Sequence, residues 1–242
     1  MTFAPSHSRP TAALLPALLS LALIAMPASA AVRGETERGL ERRVEALAKR
    51  VELLSAASQI RKLQRIYGYY IDKGQWGQAA ALFSSDGTIE MGVDGVYRGP
   101  ERIRAYLSAR RGGHDGLVEG QLNIHMQLQP VVHVATDGRT AKARWRDLAL
   151  EGEYQHWAHW GDGVYENDYV KEGGVWKIRR LRLYSNFEAP YKGGWAALKP
   201  APADWRSEAA KALPSDAPPT SRYRPFPDYF VPPFHYAPGA EQ

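Results

Sequence analysis

From Leu40 onward the apolar positions fall at Leu40, Val44, Leu47, Val51 and Leu54, spaced four, three, four and three, with Arg, Glu and Lys between them. This is a heptad seam with Val at one core position and Leu at the other, a choice that favours two parallel strands. Two heptads alone are marginal in water. The segment therefore reads either as a dimerising helix or as an amphipathic helix packed on its own domain. The helical pattern continues through Ile60, Leu63, Ile66 and Tyr67 to about Asp72, where Gly74 is placed to end it. A second short helix is predicted over Gln75 to Phe83. Thr88 to Met91 and Val96 to Arg98, separated by Gly92-Val93-Asp94-Gly95, predict a pair of short strands. Arg98-Gly99-Pro100-Glu101 then opens a helix with Ile103, Tyr106 and Leu107 on one face.

After Gly112, Gly113 and Gly116 the pattern changes to strands: Asn123 to Ala135, Thr140 to Leu150, Trp157 to Glu172 and Val175 to Tyr184. The intervening Thr136-Asp137-Gly138-Arg139 and Gly173-Gly174 are turns. Helices first and a long antiparallel meander afterwards make an α+β fold with the helices on one face of a curved sheet. Beyond Pro190 prolines alternate with aromatics, among them Trp195, Trp205, Tyr223, Phe226, Tyr229, Phe230, Phe234 and Tyr236. A disordered tail would be poor in aromatics, so this segment is expected to be an extended strap docked on the domain or on a partner chain, with a helical turn or two over Ser207 to Leu213.

Composition narrows the classes. Zero Cys among 242 residues excludes a disulfide scaffold, a Cys nucleophile, thiolate zinc and iron–sulfur ligation. At the N-terminus Arg9 precedes an apolar run from Ala12 to Met26, followed by Ala28-Ser29-Ala30, the pattern of a secretory signal cleaved after residue 30. The run of about 15 residues is short of the ~20 needed to span a bilayer, so cleavage is preferred to a retained anchor. No stable membrane insertion and a periplasmic location are then expected. The net charge of +5 is spread among acids rather than gathered in a basic stripe with aromatics, which gives nucleic-acid binding no support. The expected division is a signal over 1–30, an amphipathic or coiled-coil helix over 31–55, a pocket domain over 56–192 and a Pro/aromatic-rich extension over 193–242.

The chain has no Walker loop, GxGxxG, GxSxG, HExxH or EF-hand loop. His156 and His159 stand three apart in a predicted strand, where i and i+3 point to opposite faces, so they read as structural or surface residues and no metal is expected. His125 shares its strand face with Gln127 and Gln129, opposite Ile124, Met126 and Leu128, so it either titrates in a polar concavity or lies at the surface. Asp147 follows Ala141, Ala143 and Trp145 on the apolar face of its strand, opposite Lys142, Arg144 and Arg146. A carboxylate there needs a buried partner such as His or Arg, unless the strand ends at Arg146 and Asp147 faces solvent. Asp72 closes a helix at the end whose dipole disfavours a carboxylate, on one face with Tyr69 and beside Tyr70, which suggests a role other than stability.

Together with the order of elements, Tyr69-Tyr70-Ile71-Asp72-Lys73-Gly74-Gln75-Trp76, Val96-Tyr97-Arg98-Gly99-Pro100-Glu101, Gly163-Val164-Tyr165-Glu166-Asn167-Asp168-Tyr169 and Gly174-Val175-Trp176-Lys177-Ile178 carry a resemblance. Over about residues 55–192 the chain resembles the SnoaL-like branch of the nuclear transport factor 2-like superfamily, and within it the scytalone dehydratase and hexachlorocyclohexane dehydrochlorinase group. The resemblance implies a cone-shaped α+β barrel around a deep, mostly apolar pocket. It also implies a catalytic dyad of Asp72 and His125, with Asp72 holding one ring nitrogen. Tyr69 or Tyr70 would polarise a substrate oxygen, Asp147 would stand near a second catalytic position, and Arg180 or Arg182 would bind substrate alongside Trp145.

What this implies is cofactor-independent proton abstraction from a small hydrophobic substrate, that is, a lyase or isomerase of dehydratase or dehydrohalogenase type. No metal and no cofactor are expected, and a homo-oligomer is. Two other readings stand beside it: a pocket that binds a ligand without chemistry, and an envelope protein built on the heptads and the tail.

Overall fold

The computed structural model describes residues 37–237 and Gly239. The predicted signal over 1–30 lies outside the described residues. The chain divides into two units, and the first contributes to the description only the helical residues up to Glu45; the second begins at Ala46 and holds the rest of that helix, the sheet, the other helices and the tail.

Helix α1 (Glu37–Asp72) ends where Gly74 takes φ +66. A Cβ on Gly74 would lie 2.7 Å from the Gly116 backbone, so the turn requires glycine both for its conformation and for this approach. Helix α2 (Trp76–Ala81) is shorter than the predicted 75–83. Phe83 instead begins strand β1 (Phe83–Met91), pairing with Ile178 and burying its ring in the core. Strand β2 (Val96–Arg98) completes the short pair, and Pro100 starts helix α3 (Pro100–Ala109), which buries Ile103, Tyr106 and Leu107 as its spacing predicts.

Four long strands follow: β3 (Gln121–Val134), β4 (Thr140–Glu153), β5 (Trp157–Glu172) and β6 (Val175–Pro190). They form one six-stranded sheet in the order β2-β1-β6-β5-β4-β3. The meander is antiparallel, but β1 lies parallel to β6, so the sheet is mixed and the α+β class stands. Alternation along β4 holds: Ala141, Ala143 and Trp145 are buried, while Lys142 and Arg146 are exposed. The core packs this inner face against α1, α2 and α3, around Ile60, Tyr67, Trp76, Ile89, Tyr106 and Trp145.

The tail docks on its own domain. Helix α4 (Glu208–Ala212) is capped by Ser207, whose hydroxyl accepts from the Ala210 N–H. Beyond it the chain crosses the outer face of the sheet. Ala217 bridges Val96, Thr220 donates twice to Glu90, and the Ser221 hydroxyl accepts from Arg182. Further along, Arg144 donates to the Pro232 and Pro233 carbonyls, and His235 sits 2.7 Å from Glu166 and 3.0 Å from His133. Among the described residues no helix is long and apolar enough to cross a membrane.

Candidate active site

A cavity of about 160 Å³ opens where the later residues of β1, β4 and β6 meet the first residues of β5. Its floor carries His125 from β3 and Asp147 and Glu151 from β4. Asp94 from the β1–β2 turn and Arg110 from the end of α3 close one side. Trp160 and Phe187 from the extended ends of β5 and β6 form an aromatic wall, and Trp205 and Ser207 of the tail complete it.

The sheet register explains the floor. His125 pairs with Ala149, so the side chains of Asp147 and Glu151, two residues to either side on the same face, flank the imidazole. Nδ1 lies 3.3 Å from Asp147 Oδ2 and Nε2 lies 3.1 Å from Glu151 Oε1. Arg111 is in direct contact with Glu151, and its Nε donates to Asn123 at 3.2 Å. Burial alone would disfavour the imidazolium, but the hydrogen bonds and charges of Asp147 and Glu151 outweigh it and raise the pKa of His125 to about 9. Burial would likewise raise Glu151, yet His125 and Arg111 hold it down to about 2. At neutral pH the floor is therefore a protonated imidazole donating to two carboxylates.

Asp94 is the second polar centre. Its carboxylate accepts from Tyr106 Oη (2.6 Å), Arg110 Nη1 (2.9 Å), the Ser207 N–H (2.7 Å) and the Ser207 hydroxyl (2.6 Å). Trp205 packs over Gly92, where a Cβ would meet the indole ring at 2.9 Å, and its N–H donates to the Tyr223 carbonyl. Among the described residues no group of three or more His, Asp or Glu is arranged to hold a metal ion.

Comparison with known proteins fixes the family. The model of the SnoaL-like domain matches residues 52–182, more than half of the chain. The chain belongs to the SnoaL-like domain family. This places it in the nuclear transport factor 2-like superfamily. Among solved structures it is similar to a protein of Novosphingobium aromaticivorans that carries the provisional name scytalone dehydratase, at 20% identity and a TM-score of 0.50 over 58% of this chain and 90% of that one. It is similar to a type 2 hexachlorocyclohexane dehydrochlorinase (20% identity, TM-score 0.51, 59% and 93% covered). The type 3 dehydrochlorinase of Novosphingobium barchaimii gives 22% identity and a TM-score of 0.50, with 59% and 94% covered. At this identity the likeness shows the fold.

Within this SnoaL-like domain the predicted residues divide. His125 and Asp147 come together, and Asp147 is buried rather than facing solvent, because β4 runs on past Arg146. Asp72 does not hold the ring of His125. Its Oδ1 accepts the backbone N–H of His125 at 2.7 Å, and its carboxyl, half-buried, is raised by burial. The ring nitrogens face the opposite carboxylates across the strand, which is why the expected Asp72–imidazole contact is absent. Asp72 and Tyr69 line a second groove beside α1, which His125 also borders, with Tyr69 72% exposed, while Tyr70 packs against the core. Gln127 approaches Asp147 at 3.4 Å, but Gln129 sits in a bulge at φ +48 and reaches Arg146 on the other side.

The expected substrate-binding residues also lie away from the cavity. Trp145 is fully buried and donates to Tyr169 Oη. Arg180 pairs with Asp168 on the outer face, and Arg182 is buried against Glu90 under the tail. The pocket's lining is more apolar than polar, but charged groups stand in it in number: five carboxylates, two histidines and Arg110 share it with the aromatics. Glu151, Arg111, Asp94, Trp160 and Trp205 are the residues that sequence reasoning missed. Only Glu151 left a signal, being four residues beyond Asp147 on the same strand face.

Proposed function

We propose that this SnoaL-like protein is a cofactor-independent lyase of dehydratase type, in which His125 carries the proton. The observation that supports it is the buried imidazole at the cavity floor, with Asp147 on one nitrogen and Glu151 on the other. An imidazolium at rest suits the loss of hydroxide, a poor leaving group that must be protonated to depart; a halide leaves without such help. His125 would donate from Nε2 to the leaving oxygen as Glu151 turns wholly to Arg111, and release water. As that C–O bond breaks, the adjacent C–H bond would give its electron pair to the new double bond and its proton to the freed Nε2, so that no cation is left on carbon and the imidazolium is restored. Asp147 fixes the Nδ1 tautomer throughout. A double-bond shift would use the same shuttle.

The aromatic wall and charged floor favour a small cyclic hydroxy-carbonyl compound whose ring lies against Trp160 and Trp205 and whose oxygens reach the floor. Export to the periplasm and action without metal or cofactor belong to the same proposal. The test is turnover of a panel of cyclic 3-hydroxyketones, followed by the absorbance of the conjugated enone. His125→Ala should reduce kcat at least ~100-fold, and unchanged turnover would overturn the assignment. A second reading, ligand binding without chemistry, is favoured by the complete mutual pairing of His125, Glu151 and Arg111. It predicts saturable thermal stabilisation by the same panel in both wild type and His125→Ala, with no enone formed.

A further inference from the structure

Helix α1 carries two apolar stripes. Ala56, Ile60, Leu63 and Tyr67 are buried in the pocket domain. Leu47, Val51 and Leu54 stand about half a turn away around the helix axis and are between 57% and 71% exposed. Leu40 and Val44, one heptad earlier, are likewise exposed. The described residues leave this second stripe uncovered, and half a turn of separation means the core that buries the first stripe cannot reach Leu47, Val51 and Leu54.

We propose that residues 40–54 form a parallel two-stranded coiled coil with a second copy of this chain. Val44 and Val51 occupy a positions and Leu40, Leu47 and Leu54 occupy d positions, the combination that selects two parallel strands. Charge selects the same arrangement. Arg43 and Arg50 fall at g; a parallel pair sets them against Ala48 and Ser55 of the neighbouring helix, whereas an antiparallel pair sets the two arginines against each other. A lipid surface is the poorer partner, because Glu41, Glu45 and Glu52 interrupt the basic residues that an interfacial helix would display. Five side chains of this size expose on the order of 500 Å² per helix, so a pair would cover ~1,000 Å², the lower bound for a specific interface.

The chain has no Cys, so a single added thiol reports geometry without background. In light scattering of the purified protein at tens of micromolar, wild type should have twice the chain mass. Val51→Glu should weaken association at least ten-fold while leaving the unfolding transition of the pocket domain in place. Leu40→Cys should oxidise to a covalent dimer, since a parallel pair sets the two thiols side by side and an antiparallel one holds them ~20 Å apart. A monomeric wild type, a trimer, a dimer that survives Val51→Glu, or an unlinked Leu40→Cys would each overturn the proposal. So would a monomer that instead pellets with phosphatidylglycerol vesicles.

Discussion

At His125 the deciding quantity is the number of carboxylates on one imidazole. Two of them lift its pKa to about 9 against the cost of burial. Replacing Glu151 by Gln removes one negative charge and leaves Asp147, so the ring titration should fall by one to two units toward the ordinary histidine value near ~6.5. The ring carbon and nitrogen shifts of His125 in NMR measure this directly, and a titration that stays near 9 would dismiss the Glu151 contact. Asp72→Asn should move the same titration far less, because Asp72 binds the backbone N–H and not the ring. Sequence alone reached half of this centre. The alternation of β4 located Asp147 on the buried side, and burial of a carboxylate required a partner. Glu151 was lost because the strand was expected to stop at Leu150, whereas pairing with β5 carries it to Glu153. The misplaced role of Asp72 has another cause: proximity in the fold was legible from the family pattern, but which atom of His125 its carboxylate meets depends on the side from which the end of α1 meets β3.

At the scale of elements, local patterns were legible and distant partners were not. The heptads, Gly74, Pro100 and the two tight turns each act through neighbours in sequence, and each marked its element to within a few residues. The tail differs. Its aromatics argued that it docks, yet nothing local could say that Ser207 would satisfy Asp94 or that Trp205 would wall the cavity. Asp94 accepts four hydrogen bonds, two of them from Ser207. Ser207→Ala removes the hydroxyl donor and the helix cap at once, and should cost about 1–3 kcal/mol in urea unfolding. Trp205→Ala should cost ~3 kcal/mol and open the cavity wall, seen as enhanced fluorescence of an added hydrophobic dye. If both variants matched wild type in stability and dye binding, the tail would be an ornament of the domain and not a wall of its site.

For the molecule as a whole, the buried imidazolium couples stability to pH. His125 has a folded pKa of about 9 and an unfolded value near ~6.5. Between those values the folded state binds more protons than the unfolded one, so stability falls as pH rises. The contribution is fully present below pH ~6.5 and is lost by pH ~9, amounting to ~3 kcal/mol over the window. Glu151 acts in a separate range. Its pKa of about 2 supplies stability above its unfolded value near ~4.3 that disappears only as pH drops toward 2. The tyrosines whose burial raises them ionise still higher, beyond the alkaline edge of the His125 window. Urea unfolding from pH 6 to 9.5 should therefore show a declining free energy in wild type. His125→Asn, which cannot take the proton, should lose most of that slope even though it is less stable at pH 6. A wild-type curve that is flat or rises with pH would mean that His125 is neutral in the folded protein. The site would then have to be read as a base poised to accept a proton, and the elimination would begin at carbon instead of at the leaving oxygen.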